Sequence, residues 1–322
     1  MQSAVCQRTS SSPTMTTSPF TPEPTISRRT ALVLLGFVIV IWGINWPVMK
    51  FGLQTLPPFS FAAVRIILGA ITLFAVLAVR GKLSLPKRPD ISILASVGLG
   101  QIGAFLAFIT LGLGHVNAGR SAILSYTTPI WVVPAAVILL GERMGVRTVL
   151  GLILGFIGIA ALFNPWEFDW SDRDALIGNG YLLLAAFAWG ATILHVKIHR
   201  WHSSALELAP WQLLVAAAPL TILALIFERG QWPPLDQATI LVLAFNGPIS
   251  TAFAVWAWLS VNRSLPAITS SLGSLGVPVV GLIASVIALG EPLDVASVAG
   301  LAFIVGGLVL VSLDPTATVK SQ

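Results

Sequence analysis

The chain has 322 residues, 56% of them hydrophobic and only 10% charged, with a mean hydropathy of +0.88. So few polar side chains cannot cover a water-soluble globule of this size, and lipid must take the place of water over most of the surface. The net charge of +5 is spread as single or paired basic residues at the ends of apolar blocks, which gives no nucleic-acid patch, and the one cysteine, Cys6, excludes an intramolecular disulfide and a cysteine-based zinc site.

Residues 1–29 are rich in Ser, Thr and Pro, end in Ser27-Arg28-Arg29 and hold no apolar run of the kind a signal peptide needs. They are expected to form a disordered cytoplasmic tail in which Met15 is a second candidate start. Five apolar blocks follow at 31–49, 59–79, 91–113, 119–140 and 148–163, and five more at 178–196, 206–227, 238–260, 267–289 and 296–313. Most are roughly 17–23 residues long, the length a helix rising about 1.5 Å per residue needs to cross a hydrocarbon core about 30 Å thick. Strands of a barrel would be shorter and alternate polar with apolar, a pattern absent here. The predicted division is therefore a first five-helix unit over 30–163, an external loop over 164–177, a second unit over 178–313 and a short cytoplasmic tail over 314–322.

The basic residues of the short connections set an orientation. Arg28 and Arg29, then Arg80, Lys82, Lys87 and Arg88, then Arg143 and Arg147, then Lys197 and Arg200, then Arg263 fall on the N-terminal tail and on every second loop. Lys and Arg are retained on the cytoplasmic side, so both termini are predicted inside a cell (inner or plasma) membrane.

The two halves repeat one another. Pro129 to Glu142 lies over Pro278 to Glu291 without a gap at an offset of 149, which also carries Gly151 onto Gly300, Gly158 onto Gly307, and Ser121 and Ser125 onto Ser270 and Ser274. At an offset of 147, Trp42-Gly43 meets Trp189-Gly190, Lys50 meets Lys197 and Arg65 meets Gln212. Each copy has an odd number of spans, so the second enters the membrane from the opposite face. The fold class expected is an all-α membrane protein of ten transmembrane helices, built as two inverted five-helix repeats around a central cavity.

Trp42-Gly43, Arg65 and the two Pro…Gly-Glu stretches, in register over about residues 31–312, resemble the pattern of the EamA family of the drug/metabolite transporter superfamily. That resemblance implies a carrier that exports amino acids, related metabolites or drugs across an inner membrane. The symmetry independently points to a secondary transporter, because two near-equivalent halves can exchange conformations around a shared site. A membrane-embedded binding or sensing protein without net flux is the alternative. No phosphate-binding loop, zinc-protease pair or nucleophile elbow is present, so no cofactor and no enzymatic turnover is expected. The partners expected are a small-molecule substrate and the lipid bilayer, without nucleic acid; a homodimer is compatible with the sequence.

Arg65 is the one charge well inside an apolar block. It is read either as a cationic anchor or gating group or as a structural arginine bonded to backbone, since an unmatched charge there costs about 2.5–3.5 kcal/mol. Asn45 in the first span and Tyr126, Thr128, Ser270 and Ser274 near the paired prolines offer polar groups, and Trp189 and Trp256 offer indoles at depth; helix packing is the alternative role for each. Gly43, Pro47, Pro129, Pro134, Gly273, Gly276 and Pro278 interrupt the first, fourth and ninth spans, and are read as hinges or as static kinks. His195, His199 and His202 recur along one helical face, but beside Lys197 and Arg200 they are read as a solvated helix end and no metal site is expected.

Overall fold

The computed structural model describes residues 26–113, 115, 118–163, 171–229, 236–290 and 295–314. Residues 1–25 and 315–322, the loop tryptophans Trp166, Trp170 and Trp232, and Glu291 lie outside them. The regular structure of the described residues is all helical, without a strand. Among the described residues eight helices are long and apolar enough to cross a membrane, and two shorter apolar ones, Val146–Ala161 and Val298–Val311, bring the number to ten.

We number the spans α1 to α10. The first repeat holds α1 (Arg28–Gly52), α2 (Pro58–Val79), α3 (Ile91–Ala95, Ser96–Ala104 and Phe105–Leu113 in one run), α4a (Ala118–Ser125), α4b (Thr128–Leu140) and α5 (Val146–Phe163). The second holds α6 (Arg173–Ile198), α7 (Ala205–Phe227), α8 (Gln237–Ala244, Phe245–Phe253 and Ala254–Ser264 in one run), α9a (Ala267–Gly273), α9b (Gly276–Leu289) and α10 (Val295–Ser312). Their starts are written in cap residues. Ser27 accepts from Thr30 N at 3.1 Å, Asp172 from Ala175 N at 3.1 Å and Asp236 from Thr239 N at 2.7 Å. Ser204 and Glu207 close a reciprocal capping box at the head of α7. The backbone bond from Thr239 holds the Asp236 carboxyl below its ordinary range. At the other end, α4b and α9b both stop on a left-handed glycine, Gly141 (φ 64°) and Gly290 (φ 67°), which are repeat mates.

The packing obeys the repeat. The pairings α1 with α9 and α6 with α4 occur together, as do α3 with α7 and α8 with α2, and α3 with α6 and α8 with α1; α2 packs on α7 and α5 on α10 across the pseudo-two-fold axis. The close contacts pair off residue by residue. A Cβ on Gly151 would sit 2.6 Å from the carbonyl oxygen of Gly307, and a Cβ on Gly158 would sit 2.7 Å from that of Gly300. Since Gly300 and Gly307 are the mates of Gly151 and Gly158, each glycine faces its partner's copy, as a two-fold crossing demands. Likewise Gly98 abuts Val215 while its mate Gly247 abuts Leu68, the mate of Val215. The inverted duplication read from the sequence is thus the packing scheme of the bundle.

Candidate functional site

Five helices and one break converge on a cavity at the pseudo-two-fold axis. From α1 come Trp42, Asn45, Trp46 and Met49, a single helical stripe spaced i, i+3, i+4, i+7. Arg65 and Ile66 come from α2, Gln101, Ile102 and Phe105 from α3, Trp189 from α6, and Ser250, Thr251 and Trp258 from α8, with Tyr126 at the break between α4a and α4b. The free space is about 80 Å³. That exceeds the roughly 10–15 Å³ a cavity needs to hold a single water, so the space admits more than one water or a small solute.

The α3 and α8 contributions depend on a backbone feature. Ser96–Ala104 and Phe245–Phe253 are π-helical, each nine residues long, and they correspond at the same offset of 149. A π turn inserts an extra residue and re-aims the side chains that follow, and such turns concentrate at functional sites. Here they direct the mates Gln101 and Ser250 to the same cavity. They also release carbonyls: the Trp42 indole donates to the Ser250 carbonyl at 2.9 Å.

The cavity has an aromatic end and a polar end. Trp42, Trp189 and Trp258 touch pairwise with ring centroids 5.4, 5.8 and 5.6 Å apart, and Phe105 lies 4.6 Å from Trp189. Trp42 and Trp189 are mates in contact, which places the axis between them. At the polar end Arg65, only 6% exposed, donates through Nε to Thr251 Oγ1 at 3.3 Å and through Nη1 to Met49 Sδ at 3.2 Å. No carboxylate is among the described residues lining the space. Asn45 Oδ1, Gln101 Nε2, Ser250 Oγ and Trp258 Nε1 are buried without a hydrogen-bond partner, although buried polar atoms are as a rule paired. A cation and four unused polar atoms thus surround one space.

Of the residues predicted for the cavity, Asn45, Arg65, Tyr126 and Trp189 line it. The other four lie outside its wall. Thr128 abuts Gly190 in the α4–α6 contact. Trp256 packs on Phe253 at 5.7 Å, the Ser274 hydroxyl donates to the Ser271 carbonyl at 2.6 Å, and the Ser270 hydroxyl is buried in α9a without a partner. Gln101, Ser250 and Thr251 escaped the sequence reading, yet carrying the 149 offset through the third span would have paired Gln101 with Ser250. Among the hinge candidates, helical bonding stops at Tyr126–Thr127 and at Ser274–Leu275, mates of one another within a residue. Pro129 and Pro278 sit in the first turn after each break, where a missing N–H costs little. Gly273 and Gly276 flank the second break, whereas Pro134 lies within α4b, and α1 runs unbroken through Gly43 and Pro47.

His202 is exposed, as the expected solvated helix end requires, but His199 is placed differently. His199 has its side chain only 9% exposed and meets Asp90, a carboxylate delivered from the α2–α3 connection, at 3.0 Å. Sequence distance hid that partner.

The model of the EamA-like transporter family matches residues 29–164 and again residues 176–313. The chain belongs to the EamA-like transporter family. It is similar to an uncharacterized transporter, YoaV, of Bacillus subtilis, 31% identical over 86% of this chain and 95% of that protein. It is also 27% identical, over 88% of this chain and 94% of the relative, to a Salmonella typhimurium protein named "Probable amino-acid metabolite efflux pump". The same name is carried by an Escherichia coli relative 26% identical over 88% of this chain and 94% of the relative. A solved crystal structure superposes with a TM-score of 0.74 over 89% of this chain and 99% of that one, at 20% identity, which establishes a shared fold. This EamA-like protein is accordingly a multi-pass membrane transporter of small molecules, set in the bilayer, among relatives that are transporters and not enzymes.

Proposed function

We propose that this EamA-like transporter is a secondary exporter of small carboxylate-bearing metabolites, amino acids or close relatives of them, across the cell membrane. The repeats over 30–163 and 178–313 exchange conformations to expose the site to each side in turn, with the basic loops and both termini cytoplasmic. The observation that carries this reading is Arg65. A guanidinium so buried, with a hydroxyl and a thioether as its hydrogen-bond partners among the described residues, leaves a positive charge for an anion to neutralise. Asn45, Tyr126, Gln101 and Ser250 then serve the remaining polar atoms of the solute, and the three tryptophans its apolar body. The breaks before Pro129 and Pro278 supply the hinges. The names of the Salmonella and Escherichia coli relatives favour the same substrate class.

The test is flux of radiolabelled amino acids in vesicles that contain only this protein. Saturable, trans-stimulated flux is expected. Arg65→Ala should weaken apparent affinity by about ten- to a hundredfold, the worth of a charge-assisted hydrogen bond, with Arg65→Lys retaining part of it. Binding without flux would make the protein a sensor, and an unchanged Arg65→Ala would remove the anchor.

A further inference from the structure

The loops of the basic face are tied together by a cluster that the substrate cavity does not use. Asp90, fully buried, closes the α2–α3 connection of the first repeat; its Oδ1 lies 3.0 Å from His199 Nε2 and 3.5 Å from His202 Nδ1, and accepts from His202 N at 3.1 Å. Both imidazoles belong to the α6–α7 connection of the second repeat. Around them Lys87 Nζ donates to the His202 carbonyl at 2.5 Å, and Arg263 donates to the Ser203 carbonyl at 3.2 Å while covering the Trp201 ring at 4.0 Å. The other titratable groups facing the cluster are His195, whose ring lies 5.9 Å from that of His199, and Glu207, which is engaged with Ser204.

The opposite face carries different side chains at the matched positions. The repeat mates of Asp90, His199 and His202 are Thr239, Gly52 and Thr55, none of which titrates near neutrality. Gly52 there lies against Val242, beside an apolar cluster of Leu56, Phe61, Val242 and Leu243. On that face a carboxylate also joins the repeats, Glu228 accepting from Phe59 N at 2.6 Å and Ser60 N at 2.7 Å, but it meets backbone and no imidazole; the Asp–His pairing belongs to the basic face alone at these matched positions.

We infer that Asp90, His199 and His202 form a proton-sensitive latch that holds the basic face of the transporter shut. The inference rests on the alternating-access reading, because the latch joins the two repeats and must part when that face opens. An imidazolium is stabilised by a carboxylate beside it, and the Asp90 charge lies beside these two imidazoles only while the face is closed. Protonating them therefore favours the closed state, and the advantage is lost with their charge. The proton leaves and returns on the same side of the membrane. The latch tunes how often the face opens without carrying protons across.

Spin labels on cysteines at Leu83 and Arg200, in a Cys6→Ser background in lipid nanodiscs, report the separation of the two connections by electron–electron distance measurement without any substrate. A short distance should dominate at pH 5.5, and the ratio of open to closed populations should rise about three- to fivefold by pH 8, the range of an ion pair of modest strength. His199→Gln with His202→Gln should flatten that response, and Asp90→Asn should do the same by removing the charge from the other side. An open population indifferent to pH, or a double variant that responds like the parent, overturns the latch alone. A face that never parts at either pH, with or without added amino acids, overturns the latch together with the alternating-access reading.

Discussion

At the scale of single residues, the site is defined by what its polar atoms lack. Gln101 is 2% exposed with its Nε2 unpartnered, and Ser250, its mate, is fully buried with its hydroxyl unpartnered. A buried unsatisfied donor costs about 1–3 kcal/mol, so such residues weaken the empty protein unless a ligand uses them. Gln101→Leu should therefore raise the thermal midpoint of the empty protein in detergent while lowering flux. A drop in both would mean that the side chain supports the fold rather than the solute. Arg65 was legible because a lone charge in an apolar block announces itself. Gln101 was not, since one amide in a long hydrophobic stretch looks like any packing residue until a π turn aims it. The asymmetry between Arg65 and its mate is also a residue-level fact. Gln212 is fully buried and both polar atoms of its side chain lack partners, but it does not line the cavity, so the positive end of the site belongs to one repeat alone.

At the scale of elements, hydropathy located the helices and missed their interior geometry. Block lengths give spans because the bilayer fixes length. A π stretch changes neither composition nor length, and so Ser96–Ala104 read as ordinary helix. The breaks near Tyr126 and Ser274 were legible through the prolines that follow them, because a missing N–H has a local consequence. The α5–α10 contact shows a further limit: Gly151 and Gly307 are unremarkable as letters and decisive as surfaces. Gly151→Ala or Gly307→Ala places a methyl about 2.6 Å from the facing carbonyl oxygen. Each should cost roughly 1–3 kcal/mol, the usual penalty of overpacking, read as a lower thermal midpoint. The pair together should cost less than their sum, because both force the same helices apart. Gly36→Ala, with nothing within 4 Å of the new methyl, is the control expected to leave the midpoint unchanged.

At the scale of the whole molecule, the pseudo-two-fold axis between Trp42 and Trp189 makes a sharp demand on any exchange of conformations. In the present state Met49 lines the cavity and its mate Val196 is fully buried, as Asn45 does while its mate Thr192 packs between helices. If the repeats trade shapes, the mates must trade environments: when the basic face opens, position 196 becomes the cavity wall and position 49 is covered. Single cysteines at Met49 and at Val196, in a Cys6→Ser background, turn this into a measurement with a membrane-impermeant thiol reagent. Met49→Cys should react from the side opposite the basic loops, Val196→Cys only from the side that carries them. A saturating amino acid that shifts the population should raise one labelling rate as it lowers the other. Opposed changes at mated positions follow from an exchange of halves and from no local loosening, which would raise both rates together. Reaction of both cysteines from one side would contradict the inverted threading from which the axis itself arises.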